Sequence, residues 1–91
     1  MAHTIREKAK LLARARRIRG QVEALERALD SEIGCAEVFR LIASIRGAAN
    51  GLMSEVLEDH IRLHVADPAL DASKRKDGAE ELIDVMRSYL K

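Results

Sequence analysis

Residues 35–65 read CAEVFRLIASIRGAANGLMSEVLEDHIRLHV, and this stretch decides the fold. Val38, Ile42, Ile45, Ala49, Leu52 and Val56 recur at spacings of 4, 3, 4, 3 and 4. That rhythm predicts one long amphipathic helix over about 35–66, stopped by Asp67-Pro68. Toward the N-terminus, Leu11, Ala15, Ile18, Val22, Leu25 and Leu29 repeat the same spacing. They predict a first helix over about 4–31, opened by the capping-box pattern Thr4-Ile5-Arg6-Glu7 and followed by a break at Gly34. Toward the C-terminus, a polar stretch from Asp67 to Gly78 carries the charge run Lys74-Arg75-Lys76. A short third helix then runs to about 90, with Leu82, Ile83, Met86 and Leu90 on its apolar side and a start anywhere from 71 to 79. No strand pattern or repeat interrupts this reading. The expected fold is all-α, a single three-helix domain over 1–91.

Composition narrows the function. The chain has 91 residues, 34% charged and 47% hydrophobic, which fits neither a disordered tail nor a membrane protein. Its longest uncharged stretch, Gly47 to Ser54, is far short of the roughly 20 apolar residues of a membrane span. No signal-peptide pattern opens it, and the lone Cys35 fits a reducing cytoplasm. With Phe39 and Tyr89 the only aromatics, a base-stacking platform for single strands cannot be built. No acid/base constellation or Gly-rich phosphate loop suggests an enzyme. The formal net charge of +1 hides an asymmetry: residues 1–19 carry seven bases against Glu7, a surplus of six, and the rest carries a deficit of five. A basic end on an acidic body points to a polyanion, most simply nucleic acid, where a solvated helix face is the bland alternative.

Two seams of matched length suggest an antiparallel hairpin. Two helices with narrow seams cannot close a core, so pairing with a second copy into a four-helix bundle is expected. The small patch Gly47-Ala48-Ala49-Asn50-Gly51 would let backbones approach, either between copies or against the first helix of the same chain.

His3, Cys35, His60 and His64 include every His and Cys in the chain. His60 and His64 stand at i,i+4, a workable chelating pair, although two exposed histidines at a helix end are the commoner explanation. Cys35 alone is more often a small hydrophobe than a ligand. Cys35 and His60 are 25 residues apart on one helix, about 38 Å at 1.5 Å per residue, so they cannot meet within a chain. In an antiparallel pairing of two such helices about Ala48 and Ala49, Cys35 of one copy meets His60 and His64 of the other, giving two equivalent sites. The N-terminal arm would bring His3 and the α-amino group close.

His3-Thr4-Ile5-Arg6, RARRIRGQ at 14–21, Cys35, IRGAANGLM at 45–53, the His60/His64 pair and the closing Ser88-Tyr89-Leu90-Lys91 resemble the CsoR/RcnR family of small all-helical bacterial repressors over essentially the full length. The resemblance implies a dimer of dimers without a helix-turn-helix, which binds operator DNA when free of its effector. DNA contact then maps onto Arg14, Arg17, Arg46 and Lys91, helped by Lys8, Lys10 and Arg16. The spacing agrees for Lys10, Arg14 and Arg17 at i, i+4 and i+7, one stripe of cations suited to phosphates.

Family members differ in the effector. Copper(I) sensors carry a thiolate where this chain has His64. Formaldehyde sensors keep the counterpart of Cys35 but carry proline at the position of Ala2 and typically Glu at that of His64. Nickel and cobalt sensors combine His3, Cys35, His60 and His64, as here, so the nearest resemblance is to RcnR-like members. Three imidazoles, one thiolate and the amine of Ala2, exposed if Met1 is removed, form a borderline donor set suited to Ni(II) or Co(II). Zn(II), preferring four ligands, could bind without the arm. The expectation is a cytoplasmic repressor released by Ni(II) or Co(II) to express a metal-efflux gene. The alternative is a formaldehyde-responsive repressor using Cys35 and the N-terminal amine. A plain helical module that binds RNA or protein is the reading from another class. The acidic residues Glu55, Glu58 and Asp59 read as solvated surface, with a supporting role beside His60 the alternative for Glu58 or Asp59.

Overall fold

The computed structural model describes residues 5–90, with side chains from Glu7 onward. Three helices follow in order: α1 (Ile5–Asp30), α2 (Cys35–His64) and α3 (Ala72–Tyr89), with no strand among the described residues. The all-α expectation is met. The described chain divides into two compact units, 5–54 and 55–90, so α2 gives its first 20 residues to one and its last ten to the other.

In the first unit α1 and α2 form an antiparallel hairpin. Gln21 Nε2 donates to Ser44 Oγ at 3.0 Å, and Arg14 lies over Gly51, its Nη1 3.3 Å from where a Cβ would stand. The turn is a Schellman motif: Ile33 N–H donates to Ala28 O at 3.1 Å and Glu32 N–H to Leu29 O at 3.2 Å. Its left-handed residue is Glu32, at φ 55°, whereas no glycine has positive φ. The break expected at Gly34 is present, since 31–34 lie between the helices and α2 starts at Cys35, and Gly34 caps α2 through its carbonyl, which accepts from Glu37 N–H and Val38 N–H.

The seams are shifted from expectation. Leu11, Ile18 and Leu25 are half-buried, but they alternate with Arg14, Gln21 and Ala28, while Ala15, Val22 and Leu29 are exposed. On α2, Leu41 and Ala48 turn in beside Val38 and Ile45, while Ile42 and Ala49 face out. Each helix carries a second apolar stripe that the hairpin leaves uncovered, and Phe39 is 68% exposed. Of the described residues only Ala28, Asp59 and Gly78 are buried.

In the second unit α2 ends with Val65 N–H and Ala66 N–H both donating to Ile61 O, at 3.0 and 2.7 Å. Asp67 Oδ1 accepts from Ala69 N–H at 2.9 Å, fixing the turn around Pro68. Asp71 is the N-cap of α3, its carboxylate accepting from Lys74 N–H at 2.8 Å. The third helix starts at Ala72, within the expected 71–79 and near its early end, so it is 18 residues long and Lys74-Arg75-Lys76 lies in its first turns. Propensity explains the early start, because one good cap followed by Lys, Arg, Asp, Ala and Glu outweighs a missing apolar rhythm. Arg75 ties the connection together: its Nε donates to Val65 O at 3.0 Å and its Nη2 to Asp67 O and Leu70 O at 3.2 and 3.3 Å.

Candidate functional site

The histidine pair sits in the second unit, on the last turns of α2. The rings of His60 and His64 are 5.0 Å apart between centroids, tilted by 39°, and both side chains are half-buried. Their setting is made by α3. Gly78 is buried against α2 so closely that a Cβ there would stand 1.9 Å from His64 O. That approach brings Gly78 O to 2.8 Å from His60 Nε2. A carbonyl can only accept, so Nε2 carries the hydrogen and donates it. The lone pair of His60 Nδ1 is then left for a ligand, as is usual for a histidine oriented by a hydrogen bond through its other nitrogen.

Cys35 is exposed and opens α2, at the end opposite the histidines. No group of three or more His, Cys, Asp or Glu among the described residues could hold a metal ion. His3, the amine of Ala2 and Lys91 lie outside the described residues, as does the Thr4 cap. Two of the four expected metal ligands are therefore adjacent in the described chain, and Cys35 is not with them.

Asp59 departs from expectation. It is 5% exposed, the most buried charged side chain among the described residues, whereas Glu58 is exposed and pairs with Arg62 at 3.4 Å. The spacing contained the signal: after Leu52 and Val56, the next seam positions are Asp59 and Leu63.

The basic residues expected at DNA are distributed along the first unit. Lys10, Arg16, Arg17 and Arg46 are exposed and Arg14 is half-buried. Arg14 and Arg17 come together with Gln21, Ser44, Gly47 and Ala48 around a notch of about 230 Å³ between α1 and α2; Arg46 is not part of its lining. Gln21 and Ser44 were not singled out in the sequence, although Gln21 closes the RARRIRGQ segment. Of the small patch, Gly51 meets Arg14 of the first helix of the same chain, one of the two roles expected for it, while Gly47 and Ala48 line the notch and a Cβ at Gly47 would stand in open space. At the start of α2, the Arg40 guanidinium hydrogen-bonds Glu37 and holds its carboxyl below the ordinary carboxylate range, while Arg40 is itself raised.

Comparison with known proteins gives a consistent result. The sequence profile described as metal-sensitive transcriptional repressor matches residues 7–88. A Serratia marcescens protein described as an uncharacterized protein in the bioA 5′ region is 53% identical over 91 residues, covering 100% of both chains. The transcriptional repressor RcnR of Citrobacter koseri is 50% identical over 91 residues, again covering 100% of both. Among solved structures, a variant of the formaldehyde-responsive regulator FrmR from Salmonella enterica serovar Typhimurium superposes with a TM-score of 0.89 at 43% identity, covering 97% of this chain and 99% of that one. No helix among the described residues is long and apolar enough to cross a membrane.

Proposed function

Because the chain belongs to the CsoR/RcnR family of metal-sensitive transcriptional repressors, proteins that are not enzymes, we propose that it is a cytoplasmic DNA-binding repressor released from its operator by Ni(II) or Co(II), with a metal-efflux gene under its control. The observation that carries the choice of effector is the adjacent His60/His64 pair, with His60 turned by Gly78 O so that Nδ1 is available. Nitrogen-rich donors with one thiolate suit these borderline ions, and Zn(II) could occupy part of the set.

The thiolate has to come from a second copy. Cys35 and His60 are 25 residues apart on α2, about seven helical turns, so they lie on nearly one stripe of that helix. Phe39, Ile42 and Ala49 share the Cys35 stripe and are exposed. An antiparallel copy laid along it would cover these side chains and set Cys35 of one chain against His60 and His64 of the other. Dimers of this kind pairing again give the expected tetramer. His3 and the amine of Ala2 complete the ligand set from the arm. Metal binding can release DNA only because the metal binds the DNA-free conformation more tightly. Arg14, Arg17, Arg46 and Lys91, with Lys10 and Arg16, supply the DNA contacts.

Titrating the reduced, tag-free protein with Co(II) tests this. A sulfur-to-cobalt charge-transfer band with one metal per chain is the expected result. Cobalt left in solution, or bound without that band, removes the Cys35–His60–His64 site.

The second reading, formaldehyde response, is favoured by the exposure of Cys35 and by the likeness to a formaldehyde-responsive regulator. His64→Glu separates the two: it sharply weakens release by Ni(II) or Co(II) and spares release by an aldehyde.

A further inference from the structure

Gly78 can stand against His64 O because it has no Cβ, but a glycine has nothing with which to hold itself there. A slip of one residue along α3 would bring the Cβ of Asp77 or Ala79 into the same carbonyl, so the approach is open at Gly78 and closed on either side of it. Apolar packing behind it is thin. Ala79, Leu82 and Val85 are half-buried, and among the described residues no apolar side chain of α3 is buried. The bond from His60 Nε2 to Gly78 O, at 2.8 Å, survives only a few tenths of an ångström of separation, since such bonds run to about 3.2 Å.

Arg75 stands three residues before Gly78, on the same side of α3. Its Nε donates to Val65 O, the carbonyl that follows His64, at 3.0 Å. Its Nη2 donates to Asp67 O and Leu70 O at 3.2 and 3.3 Å. One rigid plane of donors thus spans the end of α2 and the turn into α3, less than one helical turn from the glycine. We propose that Arg75 is a positioning residue of the histidine pair: it holds α3 against the end of α2 closely enough for Gly78 O to take the His60 Nε2 proton, and so sets the affinity of His60 and His64 for a divalent first-row metal ion. This role is separable from stability. Arg75 is exposed, so without it water can satisfy the three carbonyls, but water cannot keep two helices at a fixed separation.

The proposal rests on the metal-binding reading for what the pair takes, and on the geometry alone for what Arg75 holds. Removing the group that orients a ligating histidine through its other nitrogen typically weakens metal binding about 10- to 100-fold. The test uses the reduced full-length protein with ¹⁵N-labelled histidine, and compares Arg75→Gln with Val85→Ala, which loosens α3 away from the clamp. One readout is the His60 Nε2–H proton in NMR of the metal-free protein at mildly alkaline pH, identified by its absence from His60→Gln; a ring proton not held by a hydrogen bond exchanges with water too fast to be seen. The other is the Kd for Ni(II), measured by competition with a chromophoric chelator. Wild type and Val85→Ala are expected to show the proton and to share one affinity. Arg75→Gln, with helix content retained, is expected to lose the proton and bind Ni(II) about tenfold more weakly. Arg75→Lys keeps the charge but not the fork; it should show the same loss in part, and it decides the matter should Arg75→Gln not fold. A proton and an affinity both unchanged in the Arg75 variants overturn the proposal. So does an equal loss in Val85→Ala, which would mean general loosening, or a lost proton with unchanged affinity. A wild type without the ring proton lacks the bond itself and overturns it at once. Should the wild type bind no Ni(II), the metal reading falls, and the ring proton alone decides what Arg75 holds: its loss in the Arg75 variants keeps the positioning role and its persistence removes it.

Discussion

Two glycines on this chain receive another part of the same unit, and they do so in opposite ways. At Gly78 the partner is backbone: a Cβ would fall 1.9 Å from His64 O, and the helices touch without an intervening side chain. At Gly51 the partner is the far end of the long Arg14 side chain, 3.3 Å away. The unit holding Gly78 is keyed by rigid contacts, including the three carbonyls gathered by Arg75. The unit holding Gly51 is lined by long cations around an open notch. One contact is backbone on backbone beside a histidine; the other is backbone under the tip of a long side chain.

The sharpest way to break the comparison is the same substitution at both glycines. Gly78→Ala forces backbone apart and is expected to destabilise the second unit by about 3 kcal/mol, well beyond the roughly 1 kcal/mol that alanine's helix propensity returns. It should also free His60 Nε2, visible as a change in the ring-nitrogen NMR signals. Gly51→Ala displaces only a flexible tip, so propensity wins: stability should hold or rise by up to about 1 kcal/mol, while DNA affinity falls. A Gly78→Ala protein as stable as the wild type in urea would remove the distinction.

Arg75→Ala comes next. Three carbonyls around the α2–α3 turn lose their donor. The group is exposed, so water replaces part of the loss and about 1–2 kcal/mol is expected in denaturant unfolding. Arg75→Lys should recover little, because one ammonium cannot span the arginine fork.

The α1–α2 turn offers a gain. Glu32 holds a left-handed conformation that costs a non-glycine residue roughly 1–2 kcal/mol. Glu32→Gly removes that strain and adds freedom to the unfolded chain, leaving a net gain of about 0.5 kcal/mol. Thermal unfolding of the pair of proteins checks the sign.

How much of this was legible in the sequence depends on what each residue answers to. The long helices were readable because Leu11, Ile18, Leu25, Val38 and Ile45 answer to contacts within one hairpin, and the 3–4 rhythm reports them directly. The exact seam was not. Ala15, Val22, Leu29, Ile42 and Ala49 fit the rhythm equally well yet stand uncovered, because two adjacent stripes satisfy one spacing and the single chain covers only one. For the same reason Arg14 read as part of an outward cationic stripe, although it is half-buried on the inner one. The His60/His64 pair followed from i,i+4 spacing alone, whereas its orientation by Gly78 O depends on a helix whose cap, Asp71, carries no apolar signal. Asp59 was misread because its charge outweighed its place in the rhythm.

The smallest expected effect lies at the entrance to α2, and it sets the floor of the comparison. Arg40 lowers the Glu37 carboxyl below its ordinary range through a side-chain hydrogen bond. A depressed carboxyl stabilises the fold above its unfolded value, and the contribution is lost as pH falls through the folded value, below the ordinary carboxylate range. Stability between neutral and mildly acidic pH should therefore be untouched by this pair. Both groups are solvent-facing, and exposed pairs of this kind contribute little. Arg40→Ala should leave thermal unfolding at neutral pH unchanged within error, while a carboxyl NMR titration shows Glu37 returning to its ordinary range. A Glu37 titration identical in the variant would mean that the helix start, not Arg40, sets the carboxyl, since the first turn of α2 also favours negative charge.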